Sequence, residues 1–380
     1  MPRSNPARRA TRHRSKRVRY AVVGLGHIAQ AAVLPAFRHA SRNSELVALV
    51  SGEPRKLRAL GRRYEVEHLC SYEEFDALLA EDVVDAVYIA LPNNLHRDFA
   101  IRAARAGKHV LCEKPMAVTP RDCEAMIRAA RSEHVKLMVA YRLHFERANL
   151  EAVRIARSGR LGELRFFSSD FAMQVRDGNI RLQREKGGGP LYDIGIYCIN
   201  AARMLMGEDP VAVWATTTKS RDPRFRQVEE TAIGVLRFKD ERLASFSCSF
   251  GAADRSTFTL TGTRGSITLD PAYEYAQGLS HTLRIGDREK TRRFGKSDQF
   301  APELLYFSNC ILNDRQPEPS GEVGLEDVRI IEAMHRSART GRWIRLPAPS
   351  RKARPSLRQE KRRPAVPREP RLVGVASAST

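Results

Sequence analysis

The sequence predicts an α/β domain built on a doubly wound parallel sheet, followed by an α+β domain whose sheet is open and mainly antiparallel. Two observations carry this prediction. Between about residues 19 and 142, short apolar strand candidates alternate with helix candidates, the order typical of a parallel sheet covered on both faces. After about residue 160, strand candidates follow one another across short turns, which is typical of antiparallel pairing.

The N-terminal elements follow from their apolar runs. A strand over residues 19–23 leads into a turn at Gly24 and Gly26, and a helix is expected over residues 28–39. Further strands are expected at 45–50, 85–91, 110–112 and 136–141, with helices at 55–64, 73–79, 96–106 and 120–133. We therefore place the first domain at residues 19–142.

The second domain, residues 143–346, has a different rhythm. Strands are expected at 164–171, 212–218, 230–238, 242–250, 256–262 and 266–269. One helix, over residues 193–206, interrupts the strands, and two late helices are expected at 303–313 and 325–338.

Most of the formal charge of +21 lies at the two ends of the chain. Residues 1–19 carry eight Lys and Arg and no acid, residues 347–380 carry nine against two acids, and residues 20–346 keep only +6. Neither end shows the apolar periodicity of a packed segment, and the second is rich in proline. We therefore predict that residues 1–18 and 347–380 are basic, disordered tails.

Composition excludes several classes of protein. The chain has 380 residues, 42% of them hydrophobic, and no apolar run reaches the length of about 20 residues that a membrane-spanning helix needs. The six cysteines show no C-x-x-C or zinc spacing, so we expect reduced, buried thiols, no metal site and a cytoplasmic protein. The basic N-terminus lacks the apolar stretch of a signal peptide, so a periplasmic location is expected only if the true start lies elsewhere.

Gly24-x-Gly26-x-x-Ala29 has the spacing of a dinucleotide-binding turn. The first glycine permits the tight turn, the second lets a pyrophosphate approach the backbone, and the small third residue lets the helix pack on the strand. The motif lies between a strand and a helix, which is the context it requires. It predicts NAD or NADP binding on a Rossmann-type sheet, and we include His27 and Ile28 in the expected cofactor site.

The end of the second strand bears on the choice of cofactor. An Asp or Glu that binds the adenosine ribose is usual there, whereas residues 51–56 supply a hydroxyl, a glycine amide and two cations. Ser51 and Lys56 could hold a 2′-phosphate, which favours NADP over NAD. Two alternatives remain, because Glu53 could contact a ribose hydroxyl and Arg55 and Lys56 could be solvated cations of the first helical turn.

Two pairs of polar residues are candidates for chemistry. Glu113 and Lys114 follow the fourth strand, at the edge where parallel sheets bind ligands, and a lysine there can polarise an oxygen atom, although an exposed ion pair is the alternative. Asp193 and Tyr197 are four residues apart and share a helix face. A phenol beside a carboxylate suits hydride transfer, because a proton must leave or join the oxygen. A capping aspartate and a core tyrosine are the alternative.

Four segments together resemble the Gfo/Idh/MocA oxidoreductase family, and most of all its glucose-fructose oxidoreductase type. They are residues 24–29, 91–96, 107–115 and 188–197, and the resemblance extends over about residues 19–346. It implies a Rossmann domain, NAD(P)-dependent redox chemistry on sugars or related polyols, and an open-faced sheet through which the chain forms a homodimer or homotetramer.

The resemblance also implies residue roles. It makes Lys114, Asp193 and Tyr197 the catalytic residues, with Tyr197 as the acid/base, and it assigns NADP contacts to Ser51 and Lys56. Further residues are expected at the cofactor (Pro92, Asn93, His96, Glu113 and Lys114) and at the sugar (Tyr141 and Arg142).

A different class of function would use the basic tails. The chain could be a catalytically silent, cofactor-binding regulator or a nucleic-acid-associated protein. Lys114, Asp193 and Tyr197 are all present, and no basic stripe interleaved with aromatic residues accompanies the tails. We therefore expect an enzyme with a sugar or polyol substrate, and neither a membrane nor a nucleic-acid partner.

Overall fold

The computed structural model describes residues 17–347, 355–366 and 370–375. The first sheet is parallel and has six strands: β1 (Val18–Val23), β2 (Ser44–Val50), β3 (His68–Cys70), β4 (Ala86–Ile89), β5 (His109–Glu113) and β6 (Leu137–Ala140). Helices connect them: a π-helical turn (Ala29–Val33) that continues into α1 (Leu34–Ala40), then α2 (Pro54–Tyr64), α3 (Phe75–Ala80), α4 (His96–Arg105) and α5 (Pro120–Ser132).

The strand order of this sheet is β3-β2-β1-β4-β5-β6, and it determines the edge at which a ligand is expected to bind. Every residue of β4 and β6 is buried, because helices cover both faces of the sheet. The chain leaves β1 toward one side of the sheet and β4 toward the other, and ligands bind at such a reversal, beyond the carboxyl ends of the strands. The predicted doubly wound sheet is confirmed.

The second sheet has nine strands. They are β7 (Leu164–Ala172), β8 (Ala212–Thr218), β9 (Thr231–Arg237), β10 (Leu243–Ser249), β11 (Arg255–Gly262), β12 (Gly265–Leu269), β13 (Leu279–Ile285), β14 (Arg288–Phe294) and β15 (Ile344–Arg345). Their order is β14-β13-β12-β11-β7-β10-β9-β8-β15, and every pair is antiparallel except β7 with β10. The predicted mainly antiparallel sheet is confirmed.

Helices cover one face of the second sheet and leave the other face open. Four belong to this part of the chain: α6 (Arg147–Arg157), α7 (Ile196–Met206), α8 (Ala301–Leu312) and α9 (Gly321–Thr340). Helix α7 packs against β7 and α9 against β8, while α9 also packs on α5 and α8 packs on α1. Helix α9 therefore contacts both sheets, whereas α8 packs on the helix and strands of the first domain. The open face carries exposed apolar side chains, among them Phe166, Ile233 and Leu243.

The C-terminal segment corrects the prediction of a disordered tail over residues 347–380. Residues 355–366 and 370–375 lie against the body of the protein. The buried amide of Gln359 donates to the carboxylate of Glu318 over 2.7 Å, and Val373 exchanges main-chain hydrogen bonds with the side chain of Gln30. An extended segment can be held in this way without apolar periodicity, which is why composition alone was misleading.

The predicted N-terminal tail falls almost wholly outside the described residues. Only Arg17 and Val18 of residues 1–18 are described, and Val18 already begins β1. The remainder of that prediction, like the part of the second tail at residues 348–354, 367–369 and 376–380, lies outside the residues that the structure describes.

The cysteines are mostly buried thiols, as the sequence predicts. All six cysteines are free thiols, five of them buried and Cys70 partly exposed. No helix within residues 17–347, 355–366 and 370–375 has the length and apolar character required to cross a membrane. The same residues contain no group of three or more His, Cys, Asp or Glu side chains that could hold a metal ion.

Candidate active site

A cleft of about 1020 Å³ lies between the two sheets. The first sheet lines it with the turn after β1, the end of β2 and the turns after β4 and β5, and the second sheet lines it with the end of β7 and the start of α7. Its volume is at the upper end of the range for small-molecule sites, as a dinucleotide together with a small substrate requires.

The glycine turn that follows β1 has the shape that a dinucleotide requires. Gly24 has a φ of 92°, and a Cβ there would lie 2.6 Å from the carbonyl oxygen of Ala90, so a larger residue would push β1 away from β4. A Cβ at Gly26 would instead meet no atom within 4 Å. That open space faces the cleft, where a pyrophosphate can approach the backbone. His27 and Ile28 also line the cleft.

The end of β2 supplies both a hydroxyl and a cation to the cleft. Ser51 is buried, and its Oγ accepts a hydrogen bond from the main-chain N–H of Glu53 over 3.2 Å. The buried Lys56 ammonium pairs with the carboxylate of Glu53. Tyr72, which follows β3, lines the same end of the cleft. No sequence motif marks Tyr72, and it enters the site only through the pairing of β3 with β2.

Lys114, which follows β5, and Asp193, in the turn before α7, come from the two different domains and meet in the cleft. The Lys114 ammonium donates to the main-chain oxygen of Asp193 over 2.7 Å and to its Oδ1 over 3.1 Å. The other carboxylate oxygen, Oδ2, accepts from Nε of Arg181 over 2.6 Å. Asp193 is therefore held between two cations, and Arg181 is a residue that sequence reasoning missed.

The charges of Lys114, Asp193 and Arg181 determine the protonation states of Asp193 and Lys114. Burial by itself would raise the pKa of the Asp193 carboxyl, but the neighbouring Arg181 and Lys114 cations hold that pKa well below its usual range. Burial would likewise lower the pKa of Lys114, but the Asp193 carboxylate holds it above its usual range. Both groups therefore carry their charges throughout the neutral pH range.

Tyr197 lies beside this ion pair, on the first turn of α7. The Lys114 ammonium lies 4.8 Å from the centre of the Tyr197 ring, and the Arg142 guanidinium lies 5.0 Å from it. The ring also packs edge-on against Phe171 at 5.6 Å. The Tyr197 phenol lines the cleft, and its neighbours Lys114 and Arg142 are both positively charged.

Arg142 lines the cleft, as the sequence predicts for a substrate-binding residue, and its position is fixed by other side chains. Its guanidinium donates to Oε1 of Gln299 over 2.6 Å and to the main-chain oxygen of Tyr273. Pro92 and Asn93 line the cleft as well, and the Asn93 amide donates to the main-chain oxygen of Gly187 over 2.9 Å.

Two predicted site residues do not line the cleft. Tyr141 is buried in the core, where its hydroxyl donates to Oδ2 of Asp327 over 2.5 Å, so the prediction of a substrate contact is wrong for this residue. His96 is also fully buried, and its ring nitrogens lie 2.9 Å from the main-chain oxygens of Pro115 and Leu91. His96 therefore stabilises the turns after β4 and β5 from the protein interior, without lining the cleft.

Glu113 faces away from solvent at the back of the cleft. Its carboxyl accepts a hydrogen bond from the hydroxyl of Tyr88 over 2.8 Å, and burial raises its pKa. A second carboxyl, that of Glu303 on α8, is completely buried nearby, and neither of its oxygens has a hydrogen-bond partner among the described residues. Burial, together with the negative charge of Glu113, raises the pKa of Glu303 well above its usual range.

We expect Glu303→Met to stabilise the protein increasingly as pH rises. A raised pKa in the folded state means that only the unfolded chain loses this proton above about pH 4.3, so the wild type loses stability from there up to the folded pKa. The variant lacks this pH-dependent loss of stability. Its melting temperature at pH 7.5 should be a few degrees above that of the wild type, because its free energy of unfolding is higher by about 1 kcal/mol or more. Thermal unfolding at pH 5 and pH 7.5 measures it, with Glu133→Met, at an exposed position, as control. An equal shift in melting temperature at both pH values would contradict the assignment.

The parallel sheet, its glycine turn and the cleft define a dinucleotide-binding α/β protein. Residues 18–141 match the family model described as an oxidoreductase family with an NAD-binding Rossmann fold, and residues 149–268 match the GFO/IDH/MocA C-terminal domain. The chain belongs to the Gfo/Idh/MocA oxidoreductase family, which confirms the resemblance noted from its motifs.

Individual relatives cover most of the chain. D-xylose 1-dehydrogenase (NADP+) of Haloarcula marismortui is 33% identical over 343 residues, 87% of this chain and 93% of that protein. The crystal structure of aldose-aldose oxidoreductase from Caulobacter crescentus, complexed with glycerol, superposes with a TM-score of 0.84 at 42% identity, over 87% of this chain and all of that one. A 3-ketoreductase from Actinomadura kijaniata, in complex with NADP and TDP-benzene, superposes with a TM-score of 0.77 at 27% identity, over 85% of this chain and 98% of that one. The predicted class, an oxidoreductase, is confirmed, and the silent regulator is not favoured.

Proposed function

We propose that this protein is an NADP-dependent oxidoreductase that transfers hydride between the nicotinamide and a sugar or related polyol, with Tyr197 as the proton donor and acceptor. The observation that carries the proposal is the contact of Lys114 with Asp193 beside the Tyr197 ring, in the cleft that the Gly24 and Gly26 turn also lines. Nicotinamide chemistry needs a proton carrier next to a polarised oxygen, and this cluster supplies both.

The residues that would hold the cofactor lie along the cleft. The Gly24 and Gly26 turn would receive the pyrophosphate, and Ser51 and Lys56 would receive the 2′-phosphate. When bound, the nicotinamide supplies the acceptor or donor of a hydride. The remaining chemistry, which is the movement of one proton and the stabilisation of charge on oxygen, falls to the side chains of this chain.

In the oxidation direction, the deprotonated Tyr197 oxygen takes the proton of the sugar hydroxyl. The electron pair of that O–H bond becomes the second bond between carbon and oxygen as the C–H bond gives up its hydride. Lys114 and Arg142 stabilise the negative charge that Tyr197 carries, and Lys114 can polarise the reacting oxygen. Asp193 holds the Lys114 ammonium in place, and Arg181 holds Asp193. In the reduction direction, Tyr197 returns the proton.

The names of the relatives favour an aldose as the substrate, because they include D-xylose 1-dehydrogenase and aldose-aldose oxidoreductase. The test is to incubate the purified protein with NADP+ or NAD+ and a panel of sugars that includes D-xylose and D-glucose. Reduction of NADP+ that depends on the sugar supports the proposal. No turnover in either direction with any sugar or polyol would contradict it.

Lys56→Ala should weaken the binding of NADP without weakening that of NAD. A lost charge-assisted contact to the 2′-phosphate is worth roughly 1.5 to 3 kcal/mol, or about tenfold or more in Kd. Arg55→Ala is the matched control, because Arg55 is the exposed neighbour in the same helical turn. Fluorescence titration with NADPH and NADH measures both constants, and equal losses for the two cofactors would refute the assignment of Lys56.

The open face of the second sheet suits the pairing of two copies of this chain. Phe166, Ile233 and Leu243 lie on three neighbouring strands of this face and are 48%, 45% and 41% exposed. An apolar patch of this kind marks an interaction surface. We propose that the homodimer or homotetramer expected from the family resemblance forms through this face.

A further inference from the structure

The last described residues of the chain lie over the cofactor cleft. We name residues 370–375 the C-terminal strap. Four of them, Pro370, Leu372, Gly374 and Val375, line the same cleft as the glycine turn and Lys56. Residue Val366, just upstream, lines it too. The cleft therefore has a wall that belongs neither to the first sheet nor to the second.

The strap is fastened by one buried amide, the side chain of Gln30. The Gln30 Oε1 accepts from the main-chain N–H of Val373 over 2.7 Å, and Nε2 donates to the main-chain oxygen of Val373 over 3.0 Å. Nε2 also donates to the main-chain oxygen of Leu25 over 2.9 Å. Gln30 follows the glycine turn directly and is completely buried, so it ties the strap to the expected pyrophosphate site.

The strap also reaches the expected 2′-phosphate site. A Cβ at Gly374 would lie 3.2 Å from Cε of Lys56, which places the strap backbone against that side chain. The φ of Gly374 is 62°, a conformation that favours glycine. The main-chain oxygen of Arg371 accepts from Nη1 of Arg63 on α2 over 2.7 Å. The contacts of the strap therefore run from the glycine turn to α2.

Contacts upstream keep this segment beside the cleft. The Gln359 amide is buried and donates to the carboxylate of Glu318 over 2.7 Å. Nε of Arg363 donates to the main-chain oxygen of His39 over 3.1 Å, and the Arg363 oxygen accepts from the N–H of Asp298. None of these upstream contacts involves Gln30, so they do not depend on the contacts of residues 370–375.

We propose that the C-terminal strap closes over the adenosine end of the bound dinucleotide and slows its release. Dissociation then requires the Val373 contacts with Gln30 to break first, so the release rate falls in proportion to the small fraction of time that the strap is open. The inference rests on the proposed function only for the identity of the ligand, because it concerns binding and not the reaction.

The test compares two shortened chains. A chain ending at residue 369 lacks the strap, whereas a chain ending at residue 375 keeps it. Each is loaded with NADPH, an excess of NADP+ is added, and the fall in NADPH fluorescence gives the dissociation rate. We expect the chain ending at residue 369 to release NADPH about tenfold faster or more than the full chain, and the chain ending at residue 375 to match the full chain. Equal rates for all three would overturn the proposal.

A point substitution in the full chain tests the same contact, in case the shortened chain does not fold. Val373→Pro removes the N–H that donates to Gln30, while Val373→Ala shortens the side chain and keeps that N–H. We expect release to be faster in Val373→Pro than in Val373→Ala, and equal rates in these two variants would count against the strap. If the full chain binds neither NADPH nor NADH, the proposed function fails together with this inference. If it binds NADPH and the rates are equal, only the strap fails.

Discussion

Replacing Tyr197 by Phe should lower kcat by about a hundredfold or more, the scale expected of a lost general acid/base. The substitution removes only the hydroxyl, so the ring can still pack against Phe171 and lie beside Lys114 and Arg142. We therefore expect the melting temperature and the Kd for NADPH to stay close to the wild-type values. Steady-state kinetics with saturating NADP+ and the best sugar, together with fluorescence titration, measure the three quantities.

Tyr192→Phe is the matched control for this substitution. Tyr192 lies five residues upstream of Tyr197, and its hydroxyl donates to the main-chain oxygen of Val118 over 2.8 Å and does not line the cleft. The control should keep most of the wild-type kcat. If Tyr197→Phe also keeps it, the phenol is a packing residue and another group moves the proton.

Lys114→Met should reduce kcat to a similar extent. The ammonium contacts Asp193 twice and lies over the Tyr197 ring, so its loss removes the charge that stabilises both the phenol oxygen and the reacting oxygen. Asp193 keeps its contact with Arg181, so the fold should survive. Because the pKa of Lys114 is raised, its charge persists through about pH 6 to 9, and the loss in kcat should be similar across that range.

Lys108→Met is the control for this variant. Lys108 is partly exposed, lies outside the cleft and donates to the main-chain oxygen of Glu81. Wild-type kcat in Lys114→Met, measured beside this control, would show that Lys114 is a structural ion-pair partner with no part in the reaction.

Local motifs predicted the residues that depend on local geometry. The turn at Gly24 and Gly26 is defined by a strand and a helix that adjoin it in sequence, and Lys114 follows its strand directly. Asp193 lies in the π-helical turn Leu191–Gly195 that leads into α7, and its spacing of four residues from Tyr197 leaves both side chains in the cleft. Their meeting with Lys114 of the other domain was implied by the family resemblance, and the contacts in the cleft agree with it.

Residues whose placement depends on distant partners were not predictable. Tyr141 and Arg142 are adjacent, yet Tyr141 turns into the core because Asp327, 186 residues away, accepts its hydrogen bond. Arg181 has no motif of its own, and only the folded chain brings it to Asp193. The strap escaped notice for a similar reason, because its partner Gln30 lies 343 residues away.

The edge strand β14 was missed because it lacks alternation. Strand β14 is exposed at nearly every position and carries mainly charged residues, so no apolar pattern marks it. It exists because β13 offers it a pairing edge, and β13 is itself paired with β12. Composition cannot reveal a strand whose stability comes from its neighbour.

The transfer of deuterium from a labelled sugar tests the central claim most directly. The purified protein is incubated with NADP+ and D-xylose or D-glucose that carries deuterium at C1, and the nicotinamide is analysed by mass spectrometry. We predict deuterated NADPH with the wild type, and formation at least about a hundredfold slower with Tyr197→Phe. Unlabelled NADPH, or labelled NADPH formed equally fast by the two proteins, would contradict direct hydride transfer with Tyr197 as the proton carrier.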